Sequence, residues 1–196
     1  MPESASVPAV FMYIGNLEPY QGIDLLLKSF ALLRARRPQD RLVIIGGTPA
    51  AVTHYRGVRE RLGLPEESVD MRGAQPVARM AEFFTEADVL VSPRIHGTNT
   101  PMKIYSYMDS GKPVVATDLF THTQVLDAEV AVLAAPEPAA FAAAMGRVAG
   151  DAGLRAALAG RARAMVREKY STAAFRRSLG EIYDYVEACL RAPAGG

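Results

Sequence analysis

Residues 91–117 read VSPRIHGTNTPMKIYSYMDSGKPVVAT. The order is a buried strand, a polar loop with one glycine, a helix, a Gly-Lys-Pro stop and a second buried strand. The loop carries Arg94, His96, Gly97, Thr98, Asn99 and Thr100. Pro101 opens the helix, where its missing N–H costs nothing, and Thr100 is the expected cap. A helix that starts at the carboxyl end of a parallel strand presents free N–H groups and the positive end of its dipole, which suits an anion. Polar residues gathered around such a start point to a phosphate-bearing ligand.

The same alternation extends both ways. Val10 to Ile14 reads as a first strand ending at Gly15-Asn16, and residues 22–36 as a helix with Ile23, Leu26, Leu27, Phe30 and Leu33 on one face. Further strands are expected at 41–45, 69–72, 89–91, 112–117 and 129–133, with helices at 50–62 and 77–86. Residues 139–169 read as helical with breaks near Gly150 and Gly160, and Ser171 as the cap of a last helix. That helix carries Phe175, Leu179, Ile182, Val186 and Leu190 as an apolar stripe. Continuous apolar strands alternating with helices specify an α/β, doubly wound parallel sheet covered on both faces. Such sheets bind ligands at the strand carboxyl ends, near the point where strand order reverses. Gly15, Gly46, Gly73 and the Arg94 loop are therefore expected along one rim.

Composition narrows the class. The chain has 196 residues and a formal charge of +1, and 49% of it is hydrophobic. That suits one domain with a sizeable core and argues against nucleic acid as the partner, which favours a basic face. A single cysteine, Cys189, excludes an internal disulfide framework and fits a reducing compartment. The opening residues are polar and acidic, unlike a signal peptide, and no apolar run is long enough to span a bilayer. The expected location is cytoplasmic, with the Arg34–Arg37 cluster read as a solvated helix end or as a contact at the membrane's cytoplasmic face. The three histidines lack zinc-ligand spacing, and there is no Asp-x-Asp motif; no metal or cofactor is expected.

The motifs YIGNLEPYQGIDLLLKSF, RLVIIGG, ADVLVSPR, PMKIYSYMDSGKPVVAT, THTQVLD and VAVLAAPEP occur in family order across nearly the whole chain. Together they resemble the C-terminal, donor-binding half of a retaining glycosyltransferase of the GT-B fold, family four. The resemblance implies a Rossmann-like donor domain over residues 1–170, a C-terminal helix at 171–191 that packs towards an N-terminal domain, and a disordered tail at 192–196. It also implies a nucleotide-sugar partner and transfer of a hexose with retained configuration. The acceptor domain is not encoded in these residues, so the chain is expected to be a cut-out domain or one half of a split enzyme. Alone it should transfer nothing, and its exposed apolar surface could drive dimerisation.

Carried over residue by residue, the resemblance sets the candidate site. The family's two acidic positions in this loop and helix hold Thr98 and Ser106, and two usual phosphate cations are replaced by Asn16 and Gln21. Arg94 and Lys103 are the candidate catalytic groups, stabilising charge on the departing diphosphate together with helix amides near Met102. Gly15 and Asn16 are open between an ordinary turn and close backbone approach to phosphate, and Gly46 likewise. Gln75 is the candidate for base recognition and His96 for the sugar or β-phosphate. Gly97, Thr98, Asn99, Thr100, Met102 and Ser106 complete the donor set. Arg94 is open between pinning the loop and facing the ligand. His122 is open between lining the pocket and capping a helix. The competing functions are a non-catalytic nucleotide-sugar-binding module, a sugar-nucleotide epimerase of the same fold and, more distantly, a flavodoxin-like regulator.

Overall fold

The structure is a computed structural model, and it describes residues 7–191. Elements follow the chain as β1 (Val10–Ile14), α1 (Ile23–Arg34), β2 (Arg41–Ile45), α2 (Pro49–Arg61), β3 (Val69–Gly73), α3 (Met80–Glu86), β4 (Val89–Ser92), α4 (Lys103–Asp109), β5 (Val114–Thr117), α5 (Phe120–Thr123), β6 (Val132–Ala134), α6 (Pro138–Gly150), α7 (Ala152–Lys169) and α8 (Thr172–Arg191). All strand pairs are parallel, in the order β3-β2-β1-β4-β5-β6. The chain winds outward from β1 to one edge, crosses to β4 and winds to the other, so the order reverses between β1 and β4.

Strand alternation divides the apolar residues between two cores. Phe11, Tyr13, Leu42, Ile44, Val89 and Val91 face one side, against Leu26, Phe30 and Leu33 of α1 and Phe141, Met145 and Val148 of α6. Met12, Ile14, Val43, Ile45 and Leu90 face the other, against Ile104, Tyr107 and Met108 of α4 and Ala162 and Val166 of α7. A sheet buried on both faces needs these near-continuous apolar runs, which is why β1 and β2 begin and end where the sequence places them.

Several boundaries differ from the sequence reading. The α4 helix starts at Lys103 behind Met102, not at Pro101, and no side chain caps it; the Pro101 carbonyl accepts from Ile104 N at 2.9 Å, leaving Thr100 in the loop. The expected helix at 77–86 is a 3-10 turn at Val77–Arg79 followed by α3. The expected sixth strand at 129–133 becomes Val132–Ala134, because a turn on the Asp127 carbonyl takes up Val130 and Ala131. The break near Gly150 is present, with Asp151 accepting from Leu154 N at 2.8 Å as the α7 cap. Gly160 breaks nothing. It lies on the exposed face of α7, where a glycine costs about 1 kcal/mol, and its buried neighbours Leu158, Ala159 and Ala162 hold the helix.

Arg37 is also not the solvated residue expected. It pairs with Asp40 at 2.6 Å, with its own side chain largely covered and that of Asp40 buried. Ser171 caps α8 as read, accepting from Ala174 N at 3.1 Å. The α8 stripe is exposed in this chain, from 38% at Leu179 to 81% at Leu190. Among the described residues no helix is long and apolar enough to cross a membrane. The tail expected at 192–196 lies outside the described residues.

Candidate functional site

The carboxyl end of β1 meets the start of α4 at the strand-order reversal, with the ends of β2 and β3 beside it. Gly15 N donates to Ile45 O at 2.9 Å and Gly46 N to Gly73 O at 2.7 Å, stacking three turns. Gly46 has φ +117°, and a Cβ there would overlap the Gly15 carbonyl, so the stack requires glycine.

The groove above these turns has two connected lobes that share Gly15 and Asn16. The outer lobe, about 410 Å³, is lined by Gly46, Thr48, Gln75 and Val77 among others. The inner lobe, about 320 Å³, is lined by Gln21, Arg94, Asn99, Met102 and Lys103. Nine of the residues drawn from the sequence therefore come together here: Gln21, Arg94, Asn99, Met102 and Lys103 on one side, Gly46 and Gln75 on the other, with Gly15 and Asn16 shared between the lobes. His96, Gly97, Thr98 and Thr100 form the exposed loop beside the inner lobe, and Ser106 stands exposed on α4. None of these five lines either lobe.

Two cations define the inner lobe. Lys103 Nζ donates to Gln21 Oε1 at 3.1 Å and sits 3.9 Å from the centroid of the Tyr13 ring. Burial, with a smaller contribution from the Arg94 charge, pulls its pKa down to about 7. Arg94 is only 7% exposed. Its Nε donates to the His96 carbonyl at 2.7 Å, its Nη2 to Asn99 Oδ1 at 3.0 Å, and its guanidinium lies 5.1 Å from the Tyr20 ring centroid. Arg94 thus pins the loop and lines the groove at once. Gly97 has φ +131°, a backbone conformation that favours glycine, and its missing Cβ leaves room for the guanidinium. Among the described residues neither cation has a carboxylate within ion-pair distance.

Three tyrosines, Tyr13, Tyr107 and Tyr20, support the site. The Tyr13 hydroxyl donates to the Asn16 carbonyl at 2.6 Å, and burial pushes its pKa well up, so it stays a neutral donor. Tyr107 Oη accepts from Ile14 N at 2.8 Å and donates to Ile14 O at 3.2 Å, fixing the end of β1 from the other face. Tyr20 is the residue missed outright, although a tyrosine set in the polar turn GNLEPYQG is a visible signal. Gln75 is tied back, donating to the Arg72 carbonyl at 3.0 Å. His122 neither lines the groove nor caps a helix. It is fully buried, with Nε2 2.9 Å from Ser92 Oγ and Nδ1 2.9 Å from the Thr117 carbonyl. Among the described residues no group of three His, Cys, Asp or Glu converges as a metal site.

Residues 8–151 match the family described as "Glycosyl transferases group 1". The D-inositol 3-phosphate glycosyltransferase of Xylanimonas cellulosilytica is 32% identical over 170 residues, covering 81% of this chain and 38% of that relative. Among solved structures, Anabaena Alr3699/HepE in complex with UDP superposes with a TM-score of 0.81 at 20% identity, covering 92% of this chain and 50% of that one. The C-terminal domain of a group 1 glycosyl transferase (LpcC) from Francisella tularensis gives 0.72 at 18% identity, covering 85% and 89%. The chain spans well under half the length of the curated relatives it matches, at most 38%.

Proposed function

Because the chain belongs to the group 1 glycosyltransferases and has the Rossmann-like fold of their GT-B C-terminal domain, we propose that the groove holds a nucleoside diphosphate sugar as donor. The diphosphate lies against Gly15 and Asn16 and faces Arg94 and Lys103; the base occupies the outer lobe beside Gly46 and Gln75. The sugar sits under the loop of His96 to Thr100, and Ser106 offers a hydroxyl towards the ribose. Joined to an acceptor-binding half, the domain serves transfer of a hexose with retained anomeric configuration.

One observation carries this reading: the guanidinium of Arg94 and the ammonium of Lys103 meet in a partly buried lobe lined by no acidic residue. Bringing like charges together out of water is unfavourable unless a ligand supplies the opposite charge. A diphosphate does so, and the same pair then stabilises the charge that builds on it as the glycosidic bond breaks. The lobe has no acidic residue to act on the sugar, so the chemistry of this chain is leaving-group stabilisation, with Thr98 and Ser106 limited to neutral hydrogen bonds.

The test is a thermal-shift screen of the chain against UDP, GDP, ADP and their hexose conjugates. A ligand that binds only the folded state raises the melting temperature. One base is expected to stand out, and Arg94→Ala to abolish its shift. Arg94→Ala and Lys103→Ala proteins that bind as well as wild type would overturn the assignment. In the two-domain protein, donor binding without glycosidic product marks a binding module, and a changed sugar nucleotide marks an epimerase.

A further inference from the structure

The donor loop is held almost entirely by its carbonyl oxygens. Thr117 Oγ1 donates to Arg94 O at 2.5 Å, Gln124 Nε2 to Thr98 O at 2.9 Å and Thr121 Oγ1 to Asn99 O at 2.7 Å. Arg94 itself takes the carbonyl of His96. Three of these four donors come from one short stretch, the end of β5 and α5, and neither Thr117, Thr121 nor Gln124 lines either lobe of the groove.

His122 seats that stretch. Its Nδ1 lies 2.9 Å from the Thr117 carbonyl and 3.0 Å from Thr117 Oγ1, and Nε2 lies 2.9 Å from Ser92 Oγ. The Thr117 hydroxyl proton is committed to Arg94 O, so Nδ1 carries the ring proton and Nε2 accepts from Ser92. The bonds then run in one direction, from the end of β4 through His122 and Thr117 to the loop. Burial pulls the His122 pKa down to about 4, which keeps this neutral tautomer across the ordinary pH range.

A trans peptide points its N–H opposite to its C=O. Holding the carbonyls of Thr98 and Asn99 from behind therefore turns the N–H groups of Asn99 and Thr100 away from the clamp. Among the described residues neither of these two N–H groups has an acceptor. Fixed, unpaired amides cost no reorganisation when a ligand oxygen arrives.

We propose that Thr117, Thr121 and Gln124, seated by His122, are positioning residues that preset the donor loop so that its free amides meet the oxygens of the bound sugar nucleotide. This rests on the donor-binding reading of the groove. The clamp is therefore tested first without ligand.

The experiment compares the wild-type chain with Thr121→Val/Gln124→Leu by ¹⁵N relaxation at Asn99 and Thr100. The double variant is expected to show loosened loop amides, with the sheet amides and melting temperature nearly unchanged. Its affinity for the nucleoside diphosphate selected by the screen should fall about tenfold, the scale of losing a well-made hydrogen bond or two. Thr121→Ser, which keeps the donor, should restore both order and affinity at that position, and a merely structural role would not give that pattern. Loop amides as rigid as the wild type's, or a loosened loop that binds nucleotide equally well, overturn the proposal. A wild-type chain that binds no nucleoside diphosphate sinks the donor reading instead, and the relaxation data still decide whether the clamp orders the loop.

Discussion

Lys103→Met is expected to weaken nucleoside diphosphate binding by roughly 10- to 100-fold at pH 7, since a hydrogen bond to a charged group contributes about 1.5–3 kcal/mol. The more telling expectation is its pH dependence. In the free chain the Lys103 pKa is pulled down to about 7, by burial first and by Arg94 second. A bound diphosphate moves that pKa back towards the ordinary lysine value. Above pH 7 binding must therefore take up a proton, and wild-type affinity falls as pH rises, with a limiting slope of about tenfold per unit. The phosphate's own second ionisation, near pH 6, lies below this window.

Stability of the free chain moves the other way. Between pH 7 and the ordinary lysine pKa the unfolded state binds the Lys103 proton and the folded state does not, so stability rises with pH; below pH 7 both states are protonated and the penalty is full. Lys103→Met lacks both trends. Melting curves from pH 7 to about 9.5, with and without nucleotide, read them as the difference between the two proteins, which removes every other titrating group. Two proteins that track each other across the window would show that Lys103 does not meet the diphosphate.

The parts of this fold that the sequence discloses are those where burial alone decides. VFMYI and RLVII are buried on both faces, and their strand limits coincide with the structure. Around the candidate site the reading fails where a side chain bonds a main-chain carbonyl. Thr100-Pro101 has the local chemistry of a cap followed by a first helical residue, yet the clamp on the carbonyls of Thr98 and Asn99 draws the loop past it and α4 starts later. Every residue owns a carbonyl, so such a contact leaves no motif. The site shows the same division. Glycines at strand ends and cations at a helix start are visible as residue types, whereas Tyr13 reads as one more core aromatic until its ring is found under Lys103. His122 in THTQVLD is visible as a polar cluster, but only the fold shows that it faces inward.

Asp40→Ala is expected to cost about 3–5 kcal/mol, the range for removing one partner of a buried ion pair. Asp40 is 1% exposed. Its Oδ2 accepts from Arg37 Nε at 2.6 Å, and its Oδ1 from Arg37 Nη2 at 3.1 Å and from Ala9 N at 2.9 Å. One carboxylate therefore ties the chain before β1 to the turn between α1 and β2. Alanine would leave a guanidinium that is only 10% exposed with no counter-ion, its Nη2 still donating to the Val7 carbonyl at 2.8 Å, and leave the Ala9 N–H unpaired. For a domain of this length each kcal/mol shifts the melting temperature by about 2–4 °C, so a drop of roughly 6–20 °C is expected. The site is at the amino end of the strands, away from the groove at their carboxyl ends. Nucleotide should therefore still raise the variant's melting temperature by about the wild-type increment. A variant that melts with the wild type would show that Arg37 and Ala9 find other partners; one that melts lower and also loses the nucleotide increment would show that this end of the sheet and the groove are not independent.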